Sequence, residues 1–262
     1  KIKNLIIKKV KVYDPYLRYK VKKEEIIKLI GKKIKKIERR SKFLIFKFDK
    51  KFFMLAHLGM TGKFYFINRK KKKFKTSFYY ELKEKDGEKH DRIVFTFQDN
   101  KKLIYNDIRK FGFFKFYNLE KISLSSHLKN LGPEPFEKKF NINYFKNFIL
   151  GKKTKIKNVL MNQKFISGLG NIYVNEILFL SGVKPSRNVS KLKDFEIRNI
   201  IKNTKKILNA SIKLGGSSIK DFSSGDGKKG DFQQFFNVYG RKDEKCPKTY
   251  CKLKVIRTVI SN

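Results

Sequence analysis

The sequence lacks tryptophan, contains two cysteines, and carries 23 acidic residues against 65 lysines and arginines. Two cysteines are too few for the disulfide framework of a small secreted domain, and they fit a reducing cytoplasm. No run of 18 uncharged, mostly apolar residues occurs, because the best candidate, 165–183, is interrupted by Glu176 and by glycines. Neither a membrane span nor a signal peptide is therefore expected.

The shortage of acidic residues leaves a formal net charge of +42. Such a charge predicts a polyanionic partner, nucleic acid first and an anionic membrane second. The abundance of Lys, Ile, Asn and Phe, with only two alanines, is also what AT-rich codons favour, so part of the charge reflects coding drift. An apolar content of 40%, with 26 Phe, predicts a folded protein rather than a disordered one.

The first half of the chain has the period of half-buried strands, in which apolar and polar residues alternate. The segment "IIKKVKV" (6–12) is the clearest example. The same pattern predicts five further strands, over 41–48, 51–60, 62–67, 91–97 and 101–106. One helix over 22–31 interrupts them and closes at Gly31, as helices often do. Several short antiparallel strands of this kind predict a sandwich or a barrel.

A domain boundary is indicated at "NLGPEPF" (130–136), where a glycine and two prolines stop regular structure. Beyond it the period becomes helical, and helices are predicted over 142–150, 155–163 and 171–181. A further helix ends before Gly215-Gly216, and its apolar face consists of Ile197, Ile200, Ile201, Thr204, Leu208 and Ile212. Short strands are expected after Gly230. The sequence thus predicts an α+β protein with a β domain, a helical domain and a small terminal β element.

The stretch "GLGNIYVNE" (168–176) carries no basic residue although the chain is so basic. Glycines allow a tight turn that exposes backbone N–H groups, and a helix that begins at Asn171 adds its dipole. The turn can therefore hold a phosphate without a cation, and the Asn171 side chain can cap the helix. A tight turn in a helical hairpin without any ligand accounts for the spacing equally well. The residues alone leave both interpretations open.

Eight motifs occur along the chain in this order: "SKFL" (41–44), "HLGMTG" (57–62), "KHD" (89–91), "DIRKFG" (107–112), "LGPEPF" (131–136), "GLGNIYVNE", "GGSSIKDF" (215–222) and "VYGRK" (238–242). Together they closely resemble formamidopyrimidine-DNA glycosylase, a bacterial family that removes oxidised purines. The resemblance runs the whole length. It implies an N-terminal antiparallel β-sandwich catalytic domain over 1–130, a helix–two-turn–helix DNA-binding domain over 131–227 and a C-terminal zinc ribbon over 228–262.

The resemblance implies a bifunctional DNA glycosylase and AP lyase of base-excision repair, which acts on 8-oxoguanine and formamidopyrimidines in duplex DNA with β,δ-elimination. In the family, the amine of an N-terminal proline attacks the sugar C1′ to give a Schiff base, and an adjacent glutamate serves as acid and base. Neither residue stands at the start of this sequence, which begins at Lys1, so we expect a fragment that is truncated at both termini. Such a fragment is predicted to bind DNA without forming a borohydride-trappable adduct. Lys42 matches the family lysine that assists β-elimination.

Eight further positions match residues that contact DNA in the family. Those that resemble phosphate or backbone contacts are His57, His90, Lys152, Asn171 and Tyr239. Met60, Arg109 and Phe111 resemble the triad that fills the void left by an extruded nucleotide: Met and Phe can wedge between stacked bases, and Arg can hydrogen-bond the orphaned base. Ile108 and Lys110 depart from the usual proline and arginine, which puts the rigidity of their loop in question. By residue type alone, solvated lysines and packed core residues would explain these positions, so the assignments rest on the motifs.

Two further segments carry expectations about loops and metals. The loop that closes over the everted base in the family corresponds to Ser217, Ser218, Ile219 and Lys220. The neighbouring "GDGKKG" (225–230) fits a dinucleotide-binding pattern but has no βαβ context, so a flexible glycine loop is the better interpretation. Cys246 and Cys251 resemble half of the family's zinc ribbon. A structural Zn²⁺ needs four ligands, so zinc is expected in the intact protein; no organic cofactor is expected.

Three alternatives stay open at this point: an endonuclease VIII-type glycosylase for oxidised pyrimidines, a non-catalytic nucleic-acid-binding module, and a catalytically inactive paralogue. The pairing of Arg109 with Phe111 and the motif "SSIKDF" (217–222) favour the purine-specific type. The β-domain motifs "SKFL" and "HLGM" (57–60) argue against a simple binding module. The expected partner is damaged double-stranded DNA, bound by a monomer in the bacterial cytoplasm at the nucleoid.

Overall fold

The computed structural model describes residues 1–49, 51–67, 73–75, 89–216 and 232–260, with the backbone alone for 73–75. These residues fall into two compact units. The first unit lies within residues 1–129, and the second comprises 130–216 together with 232–260. Each unit has its own hydrophobic core.

The first unit consists mainly of antiparallel strands. They are β1 (Ile7–Val12), β2 (Lys36–Arg40), β3 (Phe43–Lys47), β4 (Phe52–His57), β5 (Lys63–Ile67), β6 (Lys73–Lys75), β7 (Asp91–Phe97), β8 (Lys102–Asn106) and β9 (Phe113–Asn118). One sheet has the order β1-β7-β8-β5-β6, and the other has the order β2-β3-β4-β9. All pairings among the described strands are antiparallel, and short turns join three of the strand pairs, β2 to β3, β3 to β4 and β7 to β8.

The two sheets share one apolar core. Phe64 and Phe95 from the larger sheet are buried in the same cluster as Phe46 and Met54 from the smaller one. The ring centroids of Phe46 and Phe64 are 5.8 Å apart, so the sheets pack face to face. The alternation of apolar and polar residues produces this arrangement, because every second side chain of a strand points to the same face. The predicted antiparallel β-sandwich is confirmed.

The predicted helix over 22–31 is present but irregular. It consists of α1 (Lys23–Ile26) followed by a 3₁₀ turn over Ile27–Leu29. Gly31 follows with φ 79°, a left-handed conformation that glycine adopts without steric cost. Strands β2 and β9 were not predicted. In β2, four of the five residues are exposed, so this strand lacks the alternation on which the prediction depends.

The second unit is helical. It contains α2 (Ile142–Ile149), α3 (Ile156–Met161), α4 (Asn171–Leu180) and α5 (Asp194–Lys213), with a 3₁₀ turn over Val189–Lys191. Phe145, Leu160, Ile177 and Ile200 are completely buried in its core, one from each helix in turn. The predicted helical domain and the α+β class are confirmed. None of the helices in the described ranges combines the length and apolarity needed to cross a bilayer.

The long helix α5 follows its predicted apolar face for most of its length. Ile197, Ile200 and Thr204 are buried as predicted. Ile212 is 67% exposed, which contradicts the predicted face, and Ile207 is buried instead. The apolar stripe therefore turns away from the core before the helix ends.

The segment after residue 231 differs from the prediction of short strands. It begins with a 3₁₀ turn over Phe232–Phe235. Between residues 232 and 260, the pairing of extended segments is limited to one isolated antiparallel bridge between Lys245 and Lys254. Phe232 and Phe236 are nevertheless buried in the helical core, so this segment packs on the second unit through its aromatic side chains.

Candidate nucleic-acid interface

A buried carboxylate joins the two loops that carry "HLGMTG" and "DIRKFG". Asp107 is completely buried directly after strand β8. Its Oδ1 accepts a hydrogen bond from Thr61 Oγ1 at 2.5 Å, and its Oδ2 accepts from Tyr105 Oη and from the Gly112 N–H, both at 2.9 Å. Thr61 Oγ1 in turn accepts from the Arg109 N–H at 3.0 Å. The two loops are thus held together by one hydrogen-bonded network with an ionised acceptor at its centre.

Glycines allow these two loops to approach closely. Gly59 has φ 66°, and a Cβ at this position would lie 2.6 Å from the backbone carbonyl carbon of Phe111. A Cβ on Gly112 would lie 1.7 Å from Tyr105 Oη, the hydroxyl that binds Asp107. Both positions therefore require glycine for contact between the loops.

The joined loops present two apolar side chains and one cation to solvent. Met60 is 50% exposed and Phe111 is 43% exposed. The Arg109 guanidinium carbon lies 4.5 Å from the centroid of the Phe111 ring, a cation–π contact. The structure thus brings together these three predicted residues, which we call the wedge group (Met60, Arg109 and Phe111). Apolar side chains that pack in a core are buried. Exposed apolar side chains on a loop fixed by hydrogen bonds are instead typical of a contact surface.

An ion pair holds Lys110, one of the two departures from the family pattern. Lys110 adopts φ 59°, an uncommon conformation for a residue other than glycine. Its Nζ lies 2.5 Å from Asp14 Oδ2, and this contact, with Arg92 nearby, holds the pKa of Asp14 below its usual range. The ion pair anchors the position at which the resemblance would place an arginine.

Arg92 braces the same network from strand β7. Its Nε donates to the Asp107 carbonyl oxygen at 2.9 Å, and its Nη1 donates to Asp14 Oδ2 at 3.2 Å. His90 lies beside it, with 3.3 Å between His90 Nδ1 and Arg92 Nη2. The His90 carbonyl oxygen also accepts from the Asp107 N–H at 3.1 Å. The structure therefore brings the predicted contact residue His90 next to Asp107, where the loop that carries Arg109 and Phe111 begins.

Lys42 lies at the tip of the hairpin between β2 and β3. The turn has two central residues, Ser41 and Lys42, and Ser41 adopts φ 54° as the first of them. Arg39 Nη1 stabilises this turn by donating to the Ser41 carbonyl oxygen at 2.8 Å. The Lys42 side chain reaches solvent, yet the surrounding protein lowers its pKa through partial desolvation. A lowered pKa increases the fraction of neutral amine, the form that accepts a proton.

His57 is held as a neutral imidazole at the end of β4. Its Nδ1 accepts a hydrogen bond from the Gly59 N–H at 3.0 Å, and its ring stacks on Phe113 with centroids 5.4 Å apart. Burial, together with the positive charges of Lys42 and Arg18, lowers the pKa of His57 to about 4. Since Nδ1 is the acceptor at neutral pH, the ring proton resides on Nε2. Nε2–H is therefore a hydrogen-bond donor suited to a phosphate oxygen.

In the second unit, the turn of "GLGNIYVNE" is braced from within. Gln163 Nε2 donates to the Leu169 carbonyl oxygen at 2.9 Å, and Gln163 Oε1 accepts from the Gly168 N–H at 2.8 Å. Gly168 adopts φ 94°. Helix α4 begins at Asn171, as predicted, but its N-cap is Gly170 and no side chain caps it. The predicted capping role of Asn171 is therefore wrong, because Asn171 is the first helical residue rather than the residue before it.

A second buried carboxylate organises the segment that contains Tyr239. Glu176 is 1% exposed on α4. Its Oε2 accepts from the Asn237 N–H at 2.7 Å and from the Asn237 side-chain amide at 2.9 Å. Its Oε1 accepts from the N–H groups of Val238 and Tyr239 at 2.9 and 2.8 Å. Three consecutive backbone amides thus converge on one carboxylate, which links "VYGRK" to the helix that follows the glycine turn.

Lys152 lies in the loop between α2 and α3. Helix α3 begins at Ile156, four residues after Lys152. Its Nζ lies 3.5 Å from the ring centroid of Phe148 and donates to the carbonyl oxygen of the same residue. These contacts hold its ammonium group beside the end of α2.

Cys246 and Cys251 lie on one hairpin. The Cys246 N–H donates to the Leu253 carbonyl oxygen at 2.9 Å, and the Cys251 N–H donates to the Lys248 carbonyl oxygen at 2.9 Å. Both thiols are free. Within the described ranges, no group of three or more His, Cys, Asp or Glu side chains could hold a metal ion. The described residues therefore supply two thiols and do not complete a tetrahedral zinc site.

Other expectations cannot be compared with the fold. The proposed lesion-base loop, Ser217–Lys220, and the glycine-rich 225–230 lie outside the described residues. Four residues that position the interface had no predicted role: Asp107, Thr61, Arg92 and Glu176. A signal for Asp107 existed in the sequence, since an acidic residue directly after an apolar strand, "KLIYND" (102–107), must find buried donors if it does not reach solvent.

Two family models match this chain. The formamidopyrimidine-DNA glycosylase N-terminal domain matches residues 1–114. The formamidopyrimidine-DNA glycosylase H2TH domain matches residues 131–223. The first range contains the wedge group and Lys42, and the second contains the glycine turn and Glu176.

Curated relatives and solved structures agree with these matches. A formamidopyrimidine-DNA glycosylase of Rickettsia bellii is 35% identical over 258 residues, which covers 98% of this chain and 88% of the relative. One of Brevibacillus brevis is 38% identical over 234 residues, covering 88% and 78%. A Lactococcus lactis Fpg in complex with DNA that contains an abasic site has a TM-score of 0.82 at 30% identity and covers 100% of this chain and 90% of that one. The resemblance inferred from the eight motifs is confirmed, and the chain belongs to the formamidopyrimidine-DNA glycosylase family.

Proposed function

We propose that this chain is a base-excision repair DNA glycosylase that removes oxidised purines from duplex DNA. The observation that carries the proposal is the wedge group, three exposed side chains on two loops that Asp107 holds together. The family relatives support it, among them structures solved with DNA that contains an abasic site or a carbocyclic 8-oxo-G.

The wedge group is suited to stabilise a duplex from which one nucleotide has been extruded. Extrusion leaves a gap in the stack and an unpaired base on the opposite strand. Met60 can enter the gap because its side chain is unbranched, and Phe111 can enter it because its ring is flat. Both side chains are already exposed. Arg109 can donate hydrogen bonds to the edge of the orphaned base. A braced loop loses little entropy when it inserts, so more of the contact energy is available for binding.

The remaining predicted residues supply contacts to the DNA backbone. In the first unit these are Lys42, the neutral Nε2–H donor of His57, and His90. In the second unit they are Lys152, Asn171 with the backbone amides of its turn, and Tyr239. Contacts to phosphates fix the position of a protein on DNA and carry no sequence information. They suit an enzyme that must find one damaged base in any sequence.

The lyase part of the proposal concerns the chemistry after base release. In the family reaction an amine forms a Schiff base at the sugar C1′, and β-elimination then removes a proton from the sugar and releases the 3′ phosphate. Lys42 is the residue to assist this elimination, because partial desolvation lowers its pKa and so favours the neutral amine that accepts a proton. The N-terminal proline and adjacent glutamate of the family reaction have no counterpart in Lys1 and Ile2.

Borohydride trapping tests the nucleophile assignment. Residues 1–262 and the product translated from the gene's own start codon are each incubated with an oligonucleotide duplex that contains an abasic site, and borohydride is added. We expect no covalent adduct with residues 1–262 and an adduct with the gene product. An adduct with the bare 1–262 chain would overturn the assignment, because a residue within this chain would then be the nucleophile.

Lesion preference tests the glycosylase proposal itself. Binding of duplexes with and without one 8-oxoguanine is measured by fluorescence anisotropy at several salt concentrations. We expect tighter binding of the damaged duplex, and affinity for both duplexes to fall steeply with salt because phosphate contacts release counterions. Equal affinity for the two duplexes would contradict a repair function and favour a general binding module.

Three further parts of the proposal concern organisation. The domain boundaries are 1–130, 131–227 and 228–262. Zinc has a structural role, with Cys246 and Cys251 as two of its four ligands, and no step of the reaction involves it. The protein acts as a monomer at the bacterial nucleoid in the cytoplasm, in keeping with the bacterial source of its relatives.

A further inference from the structure

Three tyrosines are exposed on the loop that follows β1. Tyr13 is 56% exposed, Tyr16 is 62% exposed and Tyr19 is 40% exposed. They recur at every third position of "YDPYLRY" (13–19). We call this group the tyrosine strip (Tyr13, Tyr16 and Tyr19). Neither the wedge group nor the predicted phosphate contacts account for it.

Each ring of the tyrosine strip has a lysine ammonium over it. Lys11 Nζ lies 4.3 Å from the ring centroid of Tyr13, and Lys20 Nζ lies 5.4 Å from that of Tyr16. Lys115 Nζ, from strand β9, lies 4.4 Å from the ring centroid of Tyr19. The lysines leave more than half of the surface of Tyr13 and Tyr16 accessible. Each exposed ring is therefore paired with a cation, two from the same segment and one from β9.

The segment is fixed by hydrogen bonds to neighbouring elements. The Tyr13 N–H donates to the Arg92 carbonyl oxygen at 2.8 Å, and the Tyr16 N–H donates to Asp14 Oδ1 at 2.9 Å. Asp14 Oδ2 accepts from Arg92 Nη1 at 3.2 Å. Tyr16 and Lys20 form an antiparallel bridge, which places their side chains side by side. The backbone that carries the rings is thus held in place before any ligand binds.

The tyrosine strip is continuous with the loop of the wedge group. The Arg18 N–H donates to the Gly112 carbonyl oxygen at 3.1 Å, directly after Phe111. Asp14, between the first two tyrosines, pairs with Lys110 of the same loop. The negative charge of Asp14 is thus balanced by Lys110 and Arg92, and the strip presents positive charge to solvent.

We propose that the tyrosine strip binds single-stranded DNA, with unpaired bases stacked on its rings and phosphates held by its lysines. Aromatic rings combined with a positively charged groove are the general means of binding single strands, and stacking accepts every base. A duplex cannot use these rings, because its bases are already stacked on each other. This activity goes beyond the proposed repair reaction, since it requires neither a lesion nor a nucleophile.

The experiment compares single-stranded and duplex binding in matched variants. The probe is a fluorescently labelled oligodeoxythymidylate of about 15 nucleotides, within the usual site size of such proteins. Anisotropy is measured at about 0.2 M salt, where non-specific attraction to this basic chain is weakened. The variant Tyr13→Leu/Tyr16→Leu/Tyr19→Leu removes the rings but keeps the cations. The matching triple Tyr→Phe variant keeps the rings and removes only the hydroxyls.

We expect the triple leucine variant to bind the single strand about tenfold more weakly or worse, since stacking contributes at each base. The triple phenylalanine variant should bind within about twofold of the parent, by the same reasoning. The controls Phe195→Leu and Tyr250→Leu remove exposed rings of the second unit, 60% and 80% exposed, and should have no effect. A thermal melt of each variant checks that it is folded.

Three results would overturn the proposal. The first is unchanged single-strand affinity in the triple leucine variant. The second is an equal loss for an undamaged duplex of the same length, which would identify a general electrostatic or folding effect. The third is that the parent binds anionic lipid vesicles or an oligouridylate, loses this binding in the triple leucine variant, and does not bind oligothymidylate. The oligothymidylate probe contains no lesion. A negative result with it would therefore not contradict the repair function, which the comparison of duplexes with and without 8-oxoguanine tests separately.

Discussion

The two units of this protein use a buried carboxylate for the same purpose but to different effect. In the first unit, Asp107 binds two side-chain hydroxyls and one backbone amide and thereby holds loops whose side chains are exposed. In the second unit, Glu176 binds three backbone amides and one side-chain amide, and it holds a main-chain segment next to a glycine turn.

Under the proposed function, this difference would correspond to two kinds of DNA contact. Side chains such as those of the wedge group can respond to the identity or absence of a base, so their supports control discrimination. Backbone amides and helix ends contact phosphates, which are the same at every nucleotide. The absence of basic side chains from "GLGNIYVNE" fits this proposed role, because the main chain would supply the donors. The comparison predicts that damage to the two carboxylates has different consequences.

The largest effect is expected for Asp107→Asn. The amide brings an N–H₂ group to a position surrounded by donors, and the hydroxyls of Thr61 and Tyr105 lose an ionised acceptor while buried. We expect unfolding to become easier by about 4 kcal/mol. Preference for 8-oxoguanine duplex should fall more than affinity for intact duplex. Urea denaturation and anisotropy measure the two effects.

The control for this variant is Glu120→Gln, which alters a surface carboxylate paired with Lys51 on the same unit. It should change the free energy of unfolding by less than about 1 kcal/mol. If Asp107→Asn lowered affinity for damaged and intact duplex by the same factor, Asp107 would not be a support specific to the wedge group.

A somewhat smaller effect is expected for Glu176→Gln. Its partners are partly accessible, so water can replace some of the lost hydrogen bonds, and we expect a loss of about 3 kcal/mol in unfolding free energy. Affinity should fall by the same factor for damaged and intact duplex. The exposed Asp194→Asn is the matched control. A loss of affinity for the damaged duplex alone would contradict the proposed difference between the two units.

The substitution Arg109→Ala removes one member of the wedge group without touching the network of Asp107. We expect discrimination of the base opposite the lesion to weaken by about tenfold or more, the usual value of a bidentate base contact. Binding of undamaged duplex should change less. Competition assays with the four opposite bases measure this, with Arg198→Ala as a control that removes the same charge from α5. Equal losses in both assays would refute the orphan-base role.

The smallest effect concerns the pH dependence contributed by His57. Its pKa of about 4 in the folded protein lies below the ordinary 6.5, so the unfolded chain binds a proton first as the pH falls. Stability is therefore lost between pH 6.5 and about 4, and we expect His57 to account for about 1–2 kcal/mol of it after solvent screening. Denaturation at pH 7 and about pH 4.5 measures it. His57→Gln should flatten this part of the profile, and an unchanged profile would contradict the buried neutral imidazole.

Some elements could be predicted from the sequence because their cause is local. Strand β1 and helix α2 follow from the period of their apolar residues, and Gly31 ends its helix because glycine adopts φ 79° without strain. Strand β2 was missed because its residues are nearly all exposed, and its formation depends on pairing with β3. Ile212 was assigned to a buried face because helical period alone does not reveal where the core ends.

The sequence by itself determined the class of the protein and its family and led to the proposed DNA-contact residues, because periodicity and motif spacing are properties of the chain. Only the tertiary structure decided which groups hold those residues in place. Asp107 meets Thr61, Glu176 meets Asn237, and Tyr19 meets Lys115 only after folding, because these partners are distant in sequence. An aspartate, a glutamate and a tyrosine have the same formula everywhere, but burial, hydrogen-bond partners and adjacent charge exist only once the chain has folded.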